Sequence, residues 1–377
     1  MKAVIAAYAR SPFHFAKKGA LAAVRPDALA ADVVKALLAR TDLDPALLED
    51  VILGCAYPEA AQGNNIARIV SLLAGLPHAV PGMTVNRFCG SSMQAVHIAA
   101  AQIEAGVGDA FLCVGVESMT MVPQGGFNFS PNPDLRANTD AYISMGETAE
   151  NVAARYGVAR ADQDELALQS HRKAAAAREA GRLRDEIVPI RAADGTLVEA
   201  DGCIRPGTTL EALAALKPAF RPDGVVTAGT SSPLTNGAAA VLVTSDEFAA
   251  RYRLNPLARV RSFATVGVDP AVMGIGPIPA TRKALARAGL RVDDLGVVEI
   301  NEAFASQALA CIRELGLDPR TINLDGGGMA IGHPLGATGA RITGKAAALL
   351  QREGVRYALA TQCIGGGQGI ATVLERL

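Results

Sequence analysis

The sequence runs to 377 residues, with a formal net charge of -1 and 50% hydrophobic side chains. That length allows two or three domains or one doubled fold around a large core, and the near-neutral balance argues against a nucleic-acid-binding surface or a basic membrane patch. No apolar run reaches the ~18 residues that span a bilayer, so no membrane span is expected.

In chain order, Lys2 to Ala7 is expected as a short apolar strand, and with Met1 to Ala7 taken up in this way no secretory leader is expected. Leu29 to Ala39 is a helix and Asp50 to Gly54 a strand, and Gln62 to Arg68 opens a second helix. The apolar run Met83 to Val85 ends a buried strand. Met93, Val96, Ala100 and Ile103 then recur at helical spacing, so a helix begins just after Cys89. Strand Ala110 to Val114 follows. Strands alternating with helices predict an α/β fold with a largely parallel sheet covered on both faces.

From about Met119 the texture changes. Gln124 to Pro133 is rich in Gly, Pro and Asn, hence loop. Asp162 with Glu165 resembles a capping box opening a helix through Ala180. Its neighbours Arg160, Arg172, Lys173, Arg178, Arg182 and Arg184 are a solvated face, or else a cluster that meets phosphates. This polar region is an insertion ending near Val225. Strands return at Gly237 to Thr244 and Leu257 to Thr265, then helix Thr281 to Ala288 and strand Gly296 to Ile300. Asn301 to Ala305 starts a helix. A Gly-rich turn from Gly326 to Gly339 leads to helix Ala340 to Leu350, strand Tyr357 to Thr361 and the turn Cys363 to Gly369. Cys89 to Val114 and His333 to Thr361 share one order, a turn with a reactive candidate, a small-residue helix and a strand. This points to two copies of one fold.

The six cysteines, at 55, 89, 113, 203, 311 and 363, include no C-x-x-C pair or zinc spacing. They are expected as reduced thiols in a cytosol-like compartment, and the C-terminus Glu375-Arg376-Leu377 is no peroxisomal address. Cys89 lies at a strand-to-helix turn, where unpaired N–H groups and the helix dipole favour a thiolate. Gly90, Ser91 and Ser92 leave room for a substrate carbonyl. An isolated cysteine is more often a buried structural residue; the turn favours a nucleophile. His333, held between Gly332 and Pro334, is either a general base or a structural histidine. Its glycines do not form a nucleotide loop, because no Gly-Lys-Ser/Thr follows and no acidic residue sits at the dinucleotide spacing. Cys363 enters a triple-glycine turn whose N–H groups suit an oxyanion. Asn301 is a helix N-cap or the holder of a water or ligand carbonyl.

Jointly these pieces resemble the thiolase family. The Cys89-Gly90-Ser91-Ser92 turn, the Asn323 to Gly339 run around Gly332-His333-Pro334 and the Cys363-Ile364-Gly365-Gly366-Gly367 turn carry the likeness. Asn301-Glu302-Ala303-Phe304 and Ala228-Gly229-Thr230-Ser231-Ser232 support it. The resemblance implies two similar α/β halves in a five-layered α-β-α-β-α core with an inserted loop domain covering coenzyme A. The halves are expected at 1–118 with 232–256 and at 257–377, and the loop domain at 119–231. It implies Cys89 as the acylated nucleophile, His333 as its base and Cys363 as the acid/base for the acetyl-CoA carbon. One oxyanion site would be Asn301, through a water, with His333; the backbone at Cys89 and Gly365 would make the other. Ser232 and Arg205 match positions touching the pantetheine and the adenine. Met145, Ala228, Ala303 and Phe304 are further expected coenzyme A contacts.

Ser144 precedes Met145-Gly146 where short-chain biosynthetic members carry a histidine. With Val85-Asn86-Arg87 ahead of Phe88, this resembles the degradative 3-ketoacyl-CoA branch of fatty-acid β-oxidation. Gln362 replaces a more usual apolar residue. The alternatives are acetoacetyl-CoA synthesis by the same residues and an acyl-CoA-binding protein without catalysis. Coenzyme A as substrate, no metal, no redox nucleotide, a cytoplasmic homodimer or homotetramer, and association with other β-oxidation enzymes complete the expectations.

Overall fold

The computed structural model describes residues 2–377. The first part of the chain forms β1 (Ala3–Arg10), β2 (His14–Phe15), α1 (Pro26–Thr41), β3 (Asp50–Gly54), α2 (Ile66–Leu73), β4 (Gly82–Val85), α3 (Ser91–Glu104) and β5 (Ala110–Ser118). An excursion then carries α4 (Pro133–Asn138), α5 (Met145–Arg155), α6 (Arg160–Glu179), β6 (Ile190–Arg191), β7 (Leu197–Val198) and α7 (Leu210–Ala214). It returns through β8 (Thr235–Ser245) and α8 (Asp246–Arg251). The last part holds β9 (Ala258–Gly267), α9 (Pro277–Ala288), β10 (Leu295–Ile300), α10 (Ala305–Leu315), α11 (Gly328–Ile331), α12 (Leu335–Glu353), β11 (Tyr357–Ile364) and β12 (Gln368–Glu375).

The strands repeat one arrangement. The first part gives the order β4-β3-β5-β8-β1 and the last part β10-β11-β12-β9. Ile322 bridges Val298 of β10 in parallel, in the place that β4 takes beside β3. The two sets touch through Val4↔Arg259 and Ile5↔Ala258. Helices α1 and α2 cover the outer face of the first set, α9 covers that of the second, and α3 and α12 pack together between them. This is the expected α-β-α-β-α layering. The buried faces are Ala-rich, so helix and sheet approach closely around a dense core.

The sheet is not largely parallel. Among the described residues the parallel strand pairs are β3–β4, β3–β5 and β10–β11, and the remaining strand pairs are antiparallel. In each set parallel strands are joined through helices, and the set finishes on a strand that turns back. That strand is β8 after the excursion and β12 after the glycine turn. Strand β12 is not among the elements expected from the sequence, where the glycine turn runs on to Gly369. The capping box at Asp162 does not form either. Helix α6 starts at Arg160 with Ala159 as an N-cap making no side-chain bond, and Asp162 instead accepts from Arg313 Nη2 at 2.6 Å. No helix among the described residues is long and apolar enough to cross a membrane.

A buried ionic network ties the excursion to the core. The Arg10 side chain is fully buried and meets Asp201 in a two-pronged pair at 2.6 and 2.8 Å. Its Nε donates to Glu186 at 2.8 Å. Lys345 of α12 reaches Glu186 at 2.8 Å and Asp325 at 2.7 Å. Several members of the basic cluster also have structural partners. Arg182 donates to Asp325, Lys173 to the Ile322 carbonyl, and Arg160 to Asp164 and the Leu213 carbonyl. Removing one member of a buried pair strands the other charge at a cost of about 3–5 kcal/mol. Arg10→Met is therefore expected to lower unfolding free energy by about that much in urea titration. The double variant Arg10→Met/Asp201→Leu should recover part of the loss.

Candidate active site

Cys89 lies in the turn between β4 and α3, and His333 lies in the turn ahead of α12. These are matching places in the two repeats. Both middle-layer helices therefore start at the same end of the core. Their first turns interlock. A Cβ on Gly339 would stand 2.3 Å from Met93 N, and one on Gly336 2.5 Å from the Val116 carbonyl. Ser92 Oγ accepts from Ala340 N at 2.8 Å. Phe88, just before the cysteine, takes the left-handed φ of +42 that turns the chain sharply into α3.

Glu117 fixes the floor. It ends the apolar strand β5, is fully buried, and accepts from Ala56 N at 2.8 Å, Gln62 Nε2 at 2.9 Å and Gly336 N at 2.9 Å. One carboxyl group so pins the β3–α2 loop to the start of α12. Burial raises its pKa despite these donors. Sequence reasoning passed over this residue, although a lone carboxylate in the run Ala110 to Ser118 was a usable signal.

His333 is 4% exposed. Its Nδ1 pairs with Thr338 Oγ1 at 2.6 Å, and its main-chain N–H donates to Thr235 Oγ1 at 3.1 Å. Asn301 Nδ2 lies 3.3 Å from Nε2. Burial, then the nearby Arg341 guanidinium, pushes its pKa down to about 3, so the ring is neutral. Asn301 is not the N-cap of α10, which is Phe304. Its main-chain N–H donates to the Thr361 carbonyl on β11, and its buried Oδ1 has no hydrogen-bond partner among the described residues. The neighbouring Glu302 is held by Asn323 Nδ2 at 2.7 Å and by Ser170 Oγ of α6 at 2.6 Å.

The β11–β12 hairpin brings the third group. Cys363 is the last but one residue of β11, and the Gly365 backbone two residues on lies near enough to the Cys89 sulfur to favour its charged form. The sulfurs are close enough that charge on Cys89 raises the pKa of Cys363, whose thiol burial already holds well above its ordinary value. Burial pushes Cys89 up to about 11, against the help of the Gly365 N–H. Burial thus works against the thiolate that the helix N-terminus favours.

The other sequence candidates fall into two groups. Met145, Ala303 and Phe304 pack in one cluster with Cys363. Ser232 N–H donates to the Ala303 carbonyl at 2.9 Å, and Phe220 meets Phe304 edge-on at 5.9 Å. Arg205 and Ala228 line a separate notch with Phe15, His171, Ser231 and Met329. There the Arg205 guanidinium sits 5.2 Å from the Phe15 ring centroid. Ser144 accepts from Glu147 N at 3.3 Å and so caps α5.

Residues 3–247 match the family model for the thiolase N-terminal domain, and residues 254–376 match that for the thiolase C-terminal domain. The chain belongs to the thiolase family of acyltransferases. It is 49% identical to the 3-ketoacyl-CoA thiolase of Saccharophagus degradans, covering 99% of this chain and 98% of that one. It is 46% identical to the 3-ketoacyl-CoA thiolase of Bacillus subtilis, covering 99% of each. The crystal structure of human mitochondrial 3-ketoacyl-CoA thiolase superposes with a TM-score of 0.92 at 37% identity, over 99% of this chain and 98% of that one.

A histidine neutral when folded binds its proton only on unfolding. Its folded pKa, about 3, lies below the ordinary 6.5, so its contribution is complete above pH 6.5 and is lost as pH falls toward 3. Relative to His333→Gln, the wild type should lose up to ~1.4 kcal/mol of unfolding free energy per pH unit below 6. Parallel urea titrations of the two chains from pH 7 to 4 measure it; two curves that stay parallel would contradict the neutral assignment.

Proposed function

We propose that this protein is a 3-ketoacyl-CoA thiolase. It would cleave a 3-ketoacyl-CoA with coenzyme A into acetyl-CoA and an acyl-CoA shorter by two carbons, through an acyl-Cys89 intermediate. The observation that carries the reading is the docking of the Cys89 turn of one repeat on the Cys363 strand of the other, through the Gln362 side chain and the Cys89 carbonyl, together with a neutral His333 beside Asn301.

In the first half-reaction His333 Nε2 takes the Cys89 proton as the sulfur attacks carbon 3 of the substrate. Nδ1 is engaged by Thr338 at 2.6 Å, so Nε2, whose contact to Asn301 Nδ2 is longer at 3.3 Å, would exchange that contact for the proton. The bond between carbons 2 and 3 then breaks, the acyl group stays on Cys89, and the enolate of acetyl-CoA receives a proton on carbon 2 from the Cys363 thiol. An enolate oxygen is costly unless donors meet its charge. His333 and a water on the free Asn301 Oδ1 supply them, while the Cys89 and Gly365 N–H groups serve the tetrahedral oxyanion. In the second half-reaction the Cys363 thiolate takes the proton of the coenzyme A thiol, which attacks the acyl-Cys89 thioester. Cys89 leaves as thiolate and recovers its proton from His333. The covalent intermediate makes the kinetics ping-pong.

Coenzyme A would enter over the excursion at 119–231, with its pantetheine along Ser232, Ala303, Phe304 and Met145 and its nucleotide end near Arg205 and Ala228. Strand β4 is an open sheet edge flanked by exposed Met83, Leu72 and Leu73. Such an edge is normally covered, which supports a homodimer or homotetramer. The six free cysteines fit a reducing, cytoplasmic setting. The small Ser144 beside Met145, taken with the relatives' names, favours the degradative direction over acetoacetyl-CoA synthesis.

A thiolysis assay across four- to twelve-carbon 3-ketoacyl-CoA substrates tests the reading. Cleavage of the eight- to twelve-carbon substrates is expected, and activity confined to four carbons would favour acetoacetyl-CoA chemistry. Cys89→Ser should lower kcat by several orders of magnitude, since an alcohol is the poorer nucleophile at neutral pH. Cys363→Ala should cripple carbon–carbon cleavage yet leave more of the acylation of Cys89 by acyl-CoA, read as a mass adduct. Acylation suffers less because a thiolate leaves more readily than an enolate; equal loss of both steps would contradict the carbon-protonation role of Cys363.

A further inference from the structure

Gln362 stands beside Cys363 on β11, at a position where the family resemblance calls for an apolar residue. Its side chain is fully buried and turns to the opposite repeat, where Nε2 donates to the main-chain carbonyl of Cys89. That carbonyl precedes the N-cap Gly90, so α3 supplies it no donor. Three further contacts run from the same hairpin to the same turn. The Gly365 backbone lies near enough to the Cys89 sulfur to favour its charged form. Gln368 Oε1 accepts from Arg87 Nη1 at 2.8 Å. The Ile364 side chain fills the space beside Gly90, where an added Cβ would lie 2.6 Å from Cδ1.

We propose that Gln362 is a positioning residue for the nucleophile: by holding the Cys89 carbonyl from the strand that carries Cys363, it sets the Cys89 sulfur against the Gly365 N–H and His333. The turn needs such a hold because Phe88 enters it in a left-handed conformation that relaxes unless its surroundings fix it. The inference rests on reading Cys89 as the nucleophile. It predicts that loss of the amide donor slows chemistry at Cys89 without weakening coenzyme A binding.

The test measures iodoacetamide alkylation of Cys89 from pH 6 to 9 by peptide mass spectrometry, with kcat, KM and the unfolding midpoint alongside. Gln362→Met keeps the packing and removes the donor. It should alkylate and turn over about tenfold more slowly at every pH, the loss expected for one buried hydrogen bond, with KM for coenzyme A unchanged. Gln362→Glu adds a signature that packing alone would not produce. Its buried carboxyl, raised by desolvation, donates an O–H to the carbonyl while protonated and faces it with a second acceptor once ionised. Its alkylation should match wild type at low pH and fall progressively behind as pH rises. Wild-type rates in Gln362→Met, or a Gln362→Glu rate in constant ratio to wild type at all pH, would overturn the inference while leaving the thiolase reading intact. A wild-type Cys89 that reacts no faster than the other buried cysteines would overturn both.

Discussion

The site depends on the close seating of two helices. Helices α3 and α12 start at one end of the core, and Gly336 and Gly339 let the first turn of α12 press against β5 and α3 with no side chain between them. The residues just ahead of each helix, Cys89 in one repeat and His333 in the other, are thereby brought to a common place. A methyl group at either glycine would meet backbone atoms, which cannot rotate aside as a side chain would. Duplication of the fold supplies the symmetry, and this contact turns it into one centre rather than two half-sites.

Burial then sets the chemistry. Burial raises the pKa of the Cys89 and Cys363 thiols and lowers that of the His333 imidazole, with Arg341 adding to the last, so all three groups favour their uncharged forms. A site in this state stores no free charge while empty. In the proposed mechanism charge would arise only when a substrate carbonyl is present to take it, and donors fixed in a dry pocket would then be worth more than in water. The Glu117 carboxyl belongs to the same economy of buried polar groups. It is tolerated because main-chain and side-chain donors surround it, and in return it holds two loops in register.

The excursion between β5 and β8 is bound to this core by buried ion pairs as well as by apolar packing, through residues such as Ala174, Leu183 and Val188. Arg10, Glu186, Asp201, Lys345 and Asp325 link β1, the excursion and α12 into one buried network. Such pairs contribute less net stability than their number suggests, but they define geometry, since each charge has few acceptable partners. Ser170 on α6, bonded to Glu302, extends that definition to the residue beside Asn301.

Much of this was legible in the linear chain. The alternation of strands and helices, the break in texture after Met119, the repeat of turn, helix and strand, and the candidates Cys89, His333, Cys363 and Asn301 all follow from local patterns. Strand β3 and the starts of β5 and β11 fall where those patterns put them. What the chain could not disclose is whatever depends on partners distant in sequence. The antiparallel return strands belong here, because an apolar run looks alike in either direction. So does the protonation of Cys89, where a local helix dipole argued for thiolate and burial by remote residues decided for thiol. The partners of Glu117 and Gln362 lie as far as 219 and 273 residues away. Sequence thus determined which groups were available and the local turns that present them. Tertiary structure decided their neighbours, and with those neighbours their dielectric surroundings and charge.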